Sequence, residues 1–196
     1  MNTLTGYLRQ AGTAVRFLLF ATLVLGVAYP LVVWGIGQVA FSSQANGSMM
    51  EQDGQVVGSS LIGQRFDGPE WFHPRPSAAG DGYDAMSSGA SNLGPTSQDL
   101  LSLVEERRLE AAEENGVAPD QIPPEALTSS GSGLDPHISP EYAALQMDRV
   151  ADARGLSSEE VRGLVDQNTQ GRVLGFLGEP RVNVLELNLA LENLQK

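Results

Sequence analysis

Residues 17–41 read FLLFATLVLGVAYPLVVWGIGQVAF, twenty-five positions without a charged side chain, and the uncharged run continues to Met50. A helix needs about 20 apolar residues to cross a bilayer, so this stretch is long enough to span with some tilt. Nothing polar marks one face of it, which argues against a half-buried helix of a soluble domain. A cleaved export signal has an apolar region of about 7–15 residues followed by a small-x-small cleavage site. Here the run is longer, and Val39-Ala40-Phe41 is a poor site. The stretch predicts an uncleaved anchor helix over 17–41, kinked at Pro30.

The charges set an expected orientation. The chain has 196 residues, with 12 Lys+Arg against 24 Asp+Glu. Residues 1–50 contain Arg9 and Arg16 and no acid, a charge of +2. The remaining 10 basic and 24 acidic groups give −14 for residues 51–196. Two arginines precede the apolar run, and no Lys or Arg follows it until Arg65. The positive-inside rule then predicts a cytoplasmic N-terminus over 1–16 and an extracytoplasmic domain over 42–196 in the cell membrane. A domain this acidic is repelled by phosphate backbones, which disfavours nucleic acid as a partner.

Beyond the anchor, residues 42–58 are polar and Gly-rich and read as a linker into a first strand at Leu61–Phe66. Residues 67–98 have turn chemistry throughout and read as one long loop. A helix is predicted from Asp99 to Asn115, stopped at Gly116. Pro119, Pro123 and Pro124 predict extended chain, with a short strand near Glu125–Ser129 and then a loop to Pro140. Ser139-Pro140 starts the next helix, which ends at Gly155. Ser157 and Glu160 form a capping box for a helix to about Asn168. A strand is expected at Arg172–Phe176, a turn at Gly175–Arg181, and a last helix capped by Asn183. The fold class predicted is α+β, a single mixed domain behind one anchor.

The composition removes several chemistries. There is no cysteine, hence no disulfide, thiol nucleophile or thiolate metal site. The only lysine is Lys196, so a phosphate-loop or Schiff-base lysine is not expected. Only His73 and His137 are histidines. Ser132, Asp135 and His137 form a conceivable hydrolytic set, against which stands a simple turn around Pro136. Asp67, Glu70, Asp81 and Asp84 share one loop and could collect cations, although solvating charge is the plainer reading. No metal-ligand spacing is present, and no catalytic residue is assigned.

Specific strings carry a resemblance over nearly the whole chain. They include Gln44-Ala45-Asn46-Gly47-Ser48, Ser60-Leu61-Ile62-Gly63-Gln64-Arg65-Phe66 and Phe72-His73-Pro74-Arg75-Pro76-Ser77-Ala78. They continue with Ser91-Asn92-Leu93-Gly94-Pro95-Thr96, Ser130 to Pro140 (SGSGLDPHISP) and Gly178-Glu179-Pro180-Arg181-Val182-Asn183. In these the chain resembles the C subunit of the bacterial Kdp-type high-affinity potassium-transporting P-type ATPase.

The resemblance implies a non-catalytic accessory subunit. Its partners would be a channel-like potassium-binding subunit, a P-type ATPase subunit and a small single-span subunit. It also implies a chaperone-like role in ATP use, with ATP and potassium handled by the complex and no cofactor binding residue assigned in this chain. The expected topology leaves only residues 1–16 on the ATP side, so an extracytoplasmic lid on the channel-like subunit ranks above direct ATP binding. Candidate partner or assembly contacts on the anchor are Gly26, Pro30 and Gly35, with Asn46 and Gly47 just after it. In the long loop they are Arg75, Pro76, Asn92 and Gly94. The remaining candidates are Asp135 and His137, then Glu179, Arg181 and Asn183. Residues 106–125 are expected to be a variable surface insertion.

Overall fold

A computed structural model describes residues 3–194. The chain divides into two compact units, Met1–Ser48 and Met49–Lys196.

The first unit is a helix in two segments, α1 (Thr3–Leu23) and α2 (Tyr29–Ala40), joined without a break by a π-helical turn at Val24–Ala28. Leu4–Ala40 is 37 residues long and apolar enough to cross a membrane. At 1.5 Å per residue it reaches about 55 Å, more than the ~30 Å hydrocarbon thickness. The interruption expected at Pro30 takes the form of the π turn just before it. Proline supplies no N–H to the preceding turn, and the Tyr29 N–H reaches back five residues to the Val24 carbonyl. One further turn, α3 (Ser42–Ala45), follows.

The second unit opens with β1 (Met49–Gln52) and β2 (Gln55–Ser59), an antiparallel hairpin. This corrects the linker expected at 42–58. Asp53 and Gly54 both have positive φ, 52° and 76°, as a two-residue hairpin turn requires. The strand expected at Leu61–Phe66 does not form. Gly63 instead donates its N–H to the Leu134 carbonyl at 2.8 Å, and a Cβ there would lie 2.6 Å from the Asp135 carbonyl oxygen. From Ser60 to Ser97 the chain has no helix or strand, as its turn-rich composition predicts. It is nevertheless built into the core, with Phe72 and Ala79 fully buried.

Four helices close the unit. α4 (Gln98–Asn115) is capped by Ser97, starts one residue before the expected Asp99, and ends at left-handed Gly116. The proline stretch after it forms 3-10 turns at Pro119–Gln121 and Pro124–Ala126 rather than a strand. Ala112 and Ile122 are buried, so residues 106–125 contribute to the core and are not a purely surface insertion. β3 (His137–Ile138) precedes α5 (Pro140–Arg154), which Ser139 caps and Gly155 ends. α6 (Ser158–Asn168) has the Ser157–Glu160 capping box, and β4 (Thr169–Gln170) follows. The strand expected at Arg172–Phe176 is replaced by a tight exposed turn, and the strand forms later as β5 (Arg181–Asn183). Asn183 then caps α7 (Val184–Asn193) by accepting the Glu186 N–H.

β5 is the middle strand of a small antiparallel sheet ordered β3-β5-β4. His137 stands opposite Asn183, and Thr169 opposite Val182. The core gathers Phe72, Ile138, Tyr142, Val150, Val161, Val182, Leu187 and Leu191 between this sheet and the helices. Each fully buried aliphatic or Phe side chain contributes about 1.5–3 kcal/mol of transfer free energy.

Candidate functional site

The short sheet brings distant parts of the sequence to one cleft. β3 carries His137, β5 carries Arg181, and the chain entering β5 supplies Glu179 and Pro180. With Arg75, Glu125, Asp135 and Ser139 they line an open hollow of about 410 Å³. Five of the candidate residues, Arg75, Asp135, His137, Glu179 and Arg181, therefore share one wall system although they span more than half the chain.

Asp135 is the hub of the cleft. Its Oδ1 accepts the His137 backbone N–H at 3.0 Å and lies 3.5 Å from His137 Nδ1. Its Oδ2 accepts from Arg75 Nη1 at 3.4 Å. The His137 ring, then its backbone N–H and the Arg75 guanidinium, hold the Asp135 carboxyl below its ordinary range, against a burial effect of opposite sign. Arg75 also donates to the Thr128 carbonyl at 3.3 Å and accepts at its own carbonyl from the Tyr83 hydroxyl. Burial pushes the Tyr83 hydroxyl well above the usual tyrosine range, so it stays a protonated donor. Across the cleft, Glu125 accepts from both the backbone N–H and the hydroxyl of Ser139.

The walls alternate in sign. Arg75 and Arg181 line the cleft together with the acids Glu125, Asp135 and Glu179 and the His137 ring, so both signs are present. Such a mixture suits neither a bare cation nor a polyphosphate, and it does suit charged and polar groups on another protein. Ser132 is not part of the cleft. Its hydroxyl accepts from the Leu134 N–H at 3.1 Å and lies 3.4 Å from the Ser130 hydroxyl. Among the described residues no hydrogen bond joins it to His137, so the Ser132, Asp135 and His137 set is not assembled. Asp81 and Asp84 are exposed, and no group of three His, Asp or Glu residues among those described is placed to hold a metal ion.

The other candidate residues fall elsewhere. Gly26 lies in the π turn, Pro30 in the first turn of α2, and Gly35 on an open helix surface where a Cβ would meet nothing within 4 Å. Asn46 bonds the Ser42 carbonyl at 2.7 Å and Gln38 at 3.2 Å, and Gly47 has φ +88°. Pro76 lines a separate hollow with Tyr83 and Tyr142. Asn92 adopts positive φ and bonds the Ala90 carbonyl, while the Gly94 carbonyl accepts from Ser97. Asn183 is buried and donates to the Ser60 carbonyl at 2.7 Å, so its side chain is used inside the fold.

A second polar cluster escaped the sequence reading. His73 Nδ1 is 3.0 Å from Glu114 Oε1, and its Nε2 is 2.8 Å from the Gly68 carbonyl oxygen. That ring hydrogen bond, aided by the nearby Arg149, lowers the Glu114 pKa although burial opposes it. Arg149 donates to the carbonyls of Pro69 and Trp71, to Asn115 and to Gln146, at 2.7–3.0 Å. Gln146 and Asn188 bracket the backbone of His73 and Phe72. One signal was available: Gln146 and Asn188 occupy helix positions on otherwise apolar faces, beside Met147 and Leu187.

A profile described as "KdpC: K+-transporting ATPase, c chain" matches residues 11–193. The chain belongs to this family. A Kineococcus radiotolerans protein named potassium-transporting ATPase KdpC subunit is 60% identical over 190 residues, covering 97% of this chain and 96% of the relative. A Mycobacterium bovis protein of the same name is 53% identical over 187 residues, covering 95% and 99%. A Gemmatimonas aurantiaca protein, also so named, is 57% identical over 173 residues, covering 88% and 86%. The match to this family includes the apolar helix beyond residue 11, the cleft and the capped helix α7.

Proposed function

We propose that the chain is a non-catalytic accessory subunit of an ATP-driven potassium importer. It would hold the complex together and support ATP use by a P-type ATPase subunit. The observation that carries this reading is membership of the KdpC family over residues 11–193. The helix Leu4–Ala40 is the membrane anchor, with Arg9 and Arg16 at its cytoplasmic end. The acidic unit then lies outside the cytoplasm, as a lid over the channel-like subunit. A small single-span subunit would complete the assembly.

The mixed-charge cleft supports a docking role over direct contact with ATP or potassium. Asp135 is already bonded to both Arg75 and His137, so the three present a fixed pattern to a partner at little ordering cost. Protease treatment of sealed right-side-out vesicles tests the topology. Digestion of the domain before lysis is expected, and digestion only after lysis would refute the lid. Loss of the other subunits from the purified complex when this chain is deleted tests the accessory role.

A further inference from the structure

Between β4 and β5 the chain leaves the body of the domain. Residues 171–180 are exposed throughout. Val173 and Leu177 exchange two backbone hydrogen bonds of 2.9 Å, closing a tight loop with Leu174-Gly175-Phe176 at its tip. Leu174 has φ +54° and Gly175 φ +81°. A leucine seldom adopts that conformation, and here it holds the side chain outward. Val173 is 52% exposed, Leu174 79%, Phe176 69% and Leu177 50%. Single exposed apolar residues are ordinary, but four within five positions on a projecting loop form a patch that calls for a cover.

The surroundings say what kind of cover. No charge occurs between Arg172 and Glu179, and these two pair with each other at 2.8 Å, so an uncharged tip stands on a neutralised stem. Glu179, Pro180 and Arg181 then line the cleft described above, which makes the patch continuous with it. Segments that enter a lipid interface surround their apolar residues with Lys, Arg and Trp. Here the one flanking Arg172 is neutralised by Glu179, no Lys or Trp stands beside the tip, and the −14 carried by residues 51–196 opposes an anionic lipid surface. An apolar centre ringed by charged and polar groups is the anatomy of a protein interface.

We propose that residues 173–177 are an apolar anchor that docks into an uncharged apolar pocket on another subunit of the ATPase, with Glu179 and Arg181 at its polar rim. The proposal rests on the accessory-subunit reading but not on which side of the membrane the domain lies.

The test uses the purified multi-subunit complex containing the full chain. Leu174→Asp and Phe176→Asp are expected to reduce retention of this chain after detergent dilution by at least about tenfold, as loss of an interface anchor does. The milder Phe176→Ser should act in the same direction. Melting curves of the isolated chain should be unchanged, because neither side chain belongs to the core. A photo-reactive residue at position 174 should crosslink to another subunit. Crosslinks to lipid or to a second copy of this chain overturn the proposal. So does undiminished retention of all three variants beside a retained wild type. If the wild-type chain itself fails to co-purify, the accessory-subunit reading falls and takes this proposal with it.

Discussion

The side-chain amide of Asn188 exchanges two hydrogen bonds with the backbone of Phe72, 116 residues earlier. The Phe72 N–H donates to Oδ1 at 2.9 Å, and Nδ2 donates to the Phe72 carbonyl at 2.9 Å. An amide used this way does the work of a paired strand for a residue that has none. Asn188→Ala leaves a donor and an acceptor unpaired inside the core, each costing about 1–3 kcal/mol. The variant should lose about 2–4 kcal/mol in chemical denaturation of the full chain. A loss below about 0.5 kcal/mol would mean water replaces the amide without cost.

Arg149 ties the same loop to α5 through the Pro69 and Trp71 carbonyls, while its other donors reach Asn115 on α4 and Gln146 on α5. A lysine keeps the charge but not the planar fork. Arg149→Lys should speed proteolysis within 67–73 several-fold while the helical circular dichroism signal stays near wild type. Equal cleavage rates would show that charge alone holds the loop.

Glu114 and Asp135 both have pKa values lowered in the fold, chiefly by His73 and His137. A depressed carboxylate pKa stabilises the folded state above the unfolded values of about 4.3 and 3.9, and that contribution disappears as pH falls through the folded values. Denaturation midpoints should therefore fall from pH 6 toward pH 3. The double variant Glu114→Gln, Asp135→Asn should show a shallower fall, and an unchanged slope would assign acid sensitivity to other groups.

Gly133 has φ +67°, and a Cβ there would lie 2.6 Å from the Gly89 carbonyl oxygen and 2.7 Å from the Ala79 nitrogen. Gly133→Ala should cost about 2 kcal/mol or more, since strain and overlap act together. Gly131, two residues earlier, would meet nothing within 4 Å and is the control. Comparable melting temperatures for the two alanine variants would contradict the crowding at Gly133.

Local signals were legible in the sequence, and long-range ones were not. Ser139, Ser157 and Asn183 cap helices where the pattern puts them, because a cap is a contact over three residues. Asp53-Gly54 carried a hairpin signature that the polar composition around it obscured. The strand Arg181–Asn183 is three residues long, too short for an alternation to show. The cleft lies beyond any pattern. Arg75 and Asp135 are sixty residues apart, and only the loop's path through Gly63, Ser77 and Gly133 brings them together. The cap at Asn183 marked the start of α7, but not that Asn188 within it would reach back to Phe72.

That reach fixes an order of events during synthesis. The loop around Phe72 emerges long before α7, and although α5 pairs the neighbouring backbone of His73, the Phe72 N–H and carbonyl have no partner until α7 arrives. The core around Phe72 therefore cannot close before α7 is made. A nascent chain stalled before residue 184 should remain wholly protease-sensitive, and removal of α7 should abolish folding rather than trim it. Resistance in such a stalled chain would show that the earlier segments close by themselves.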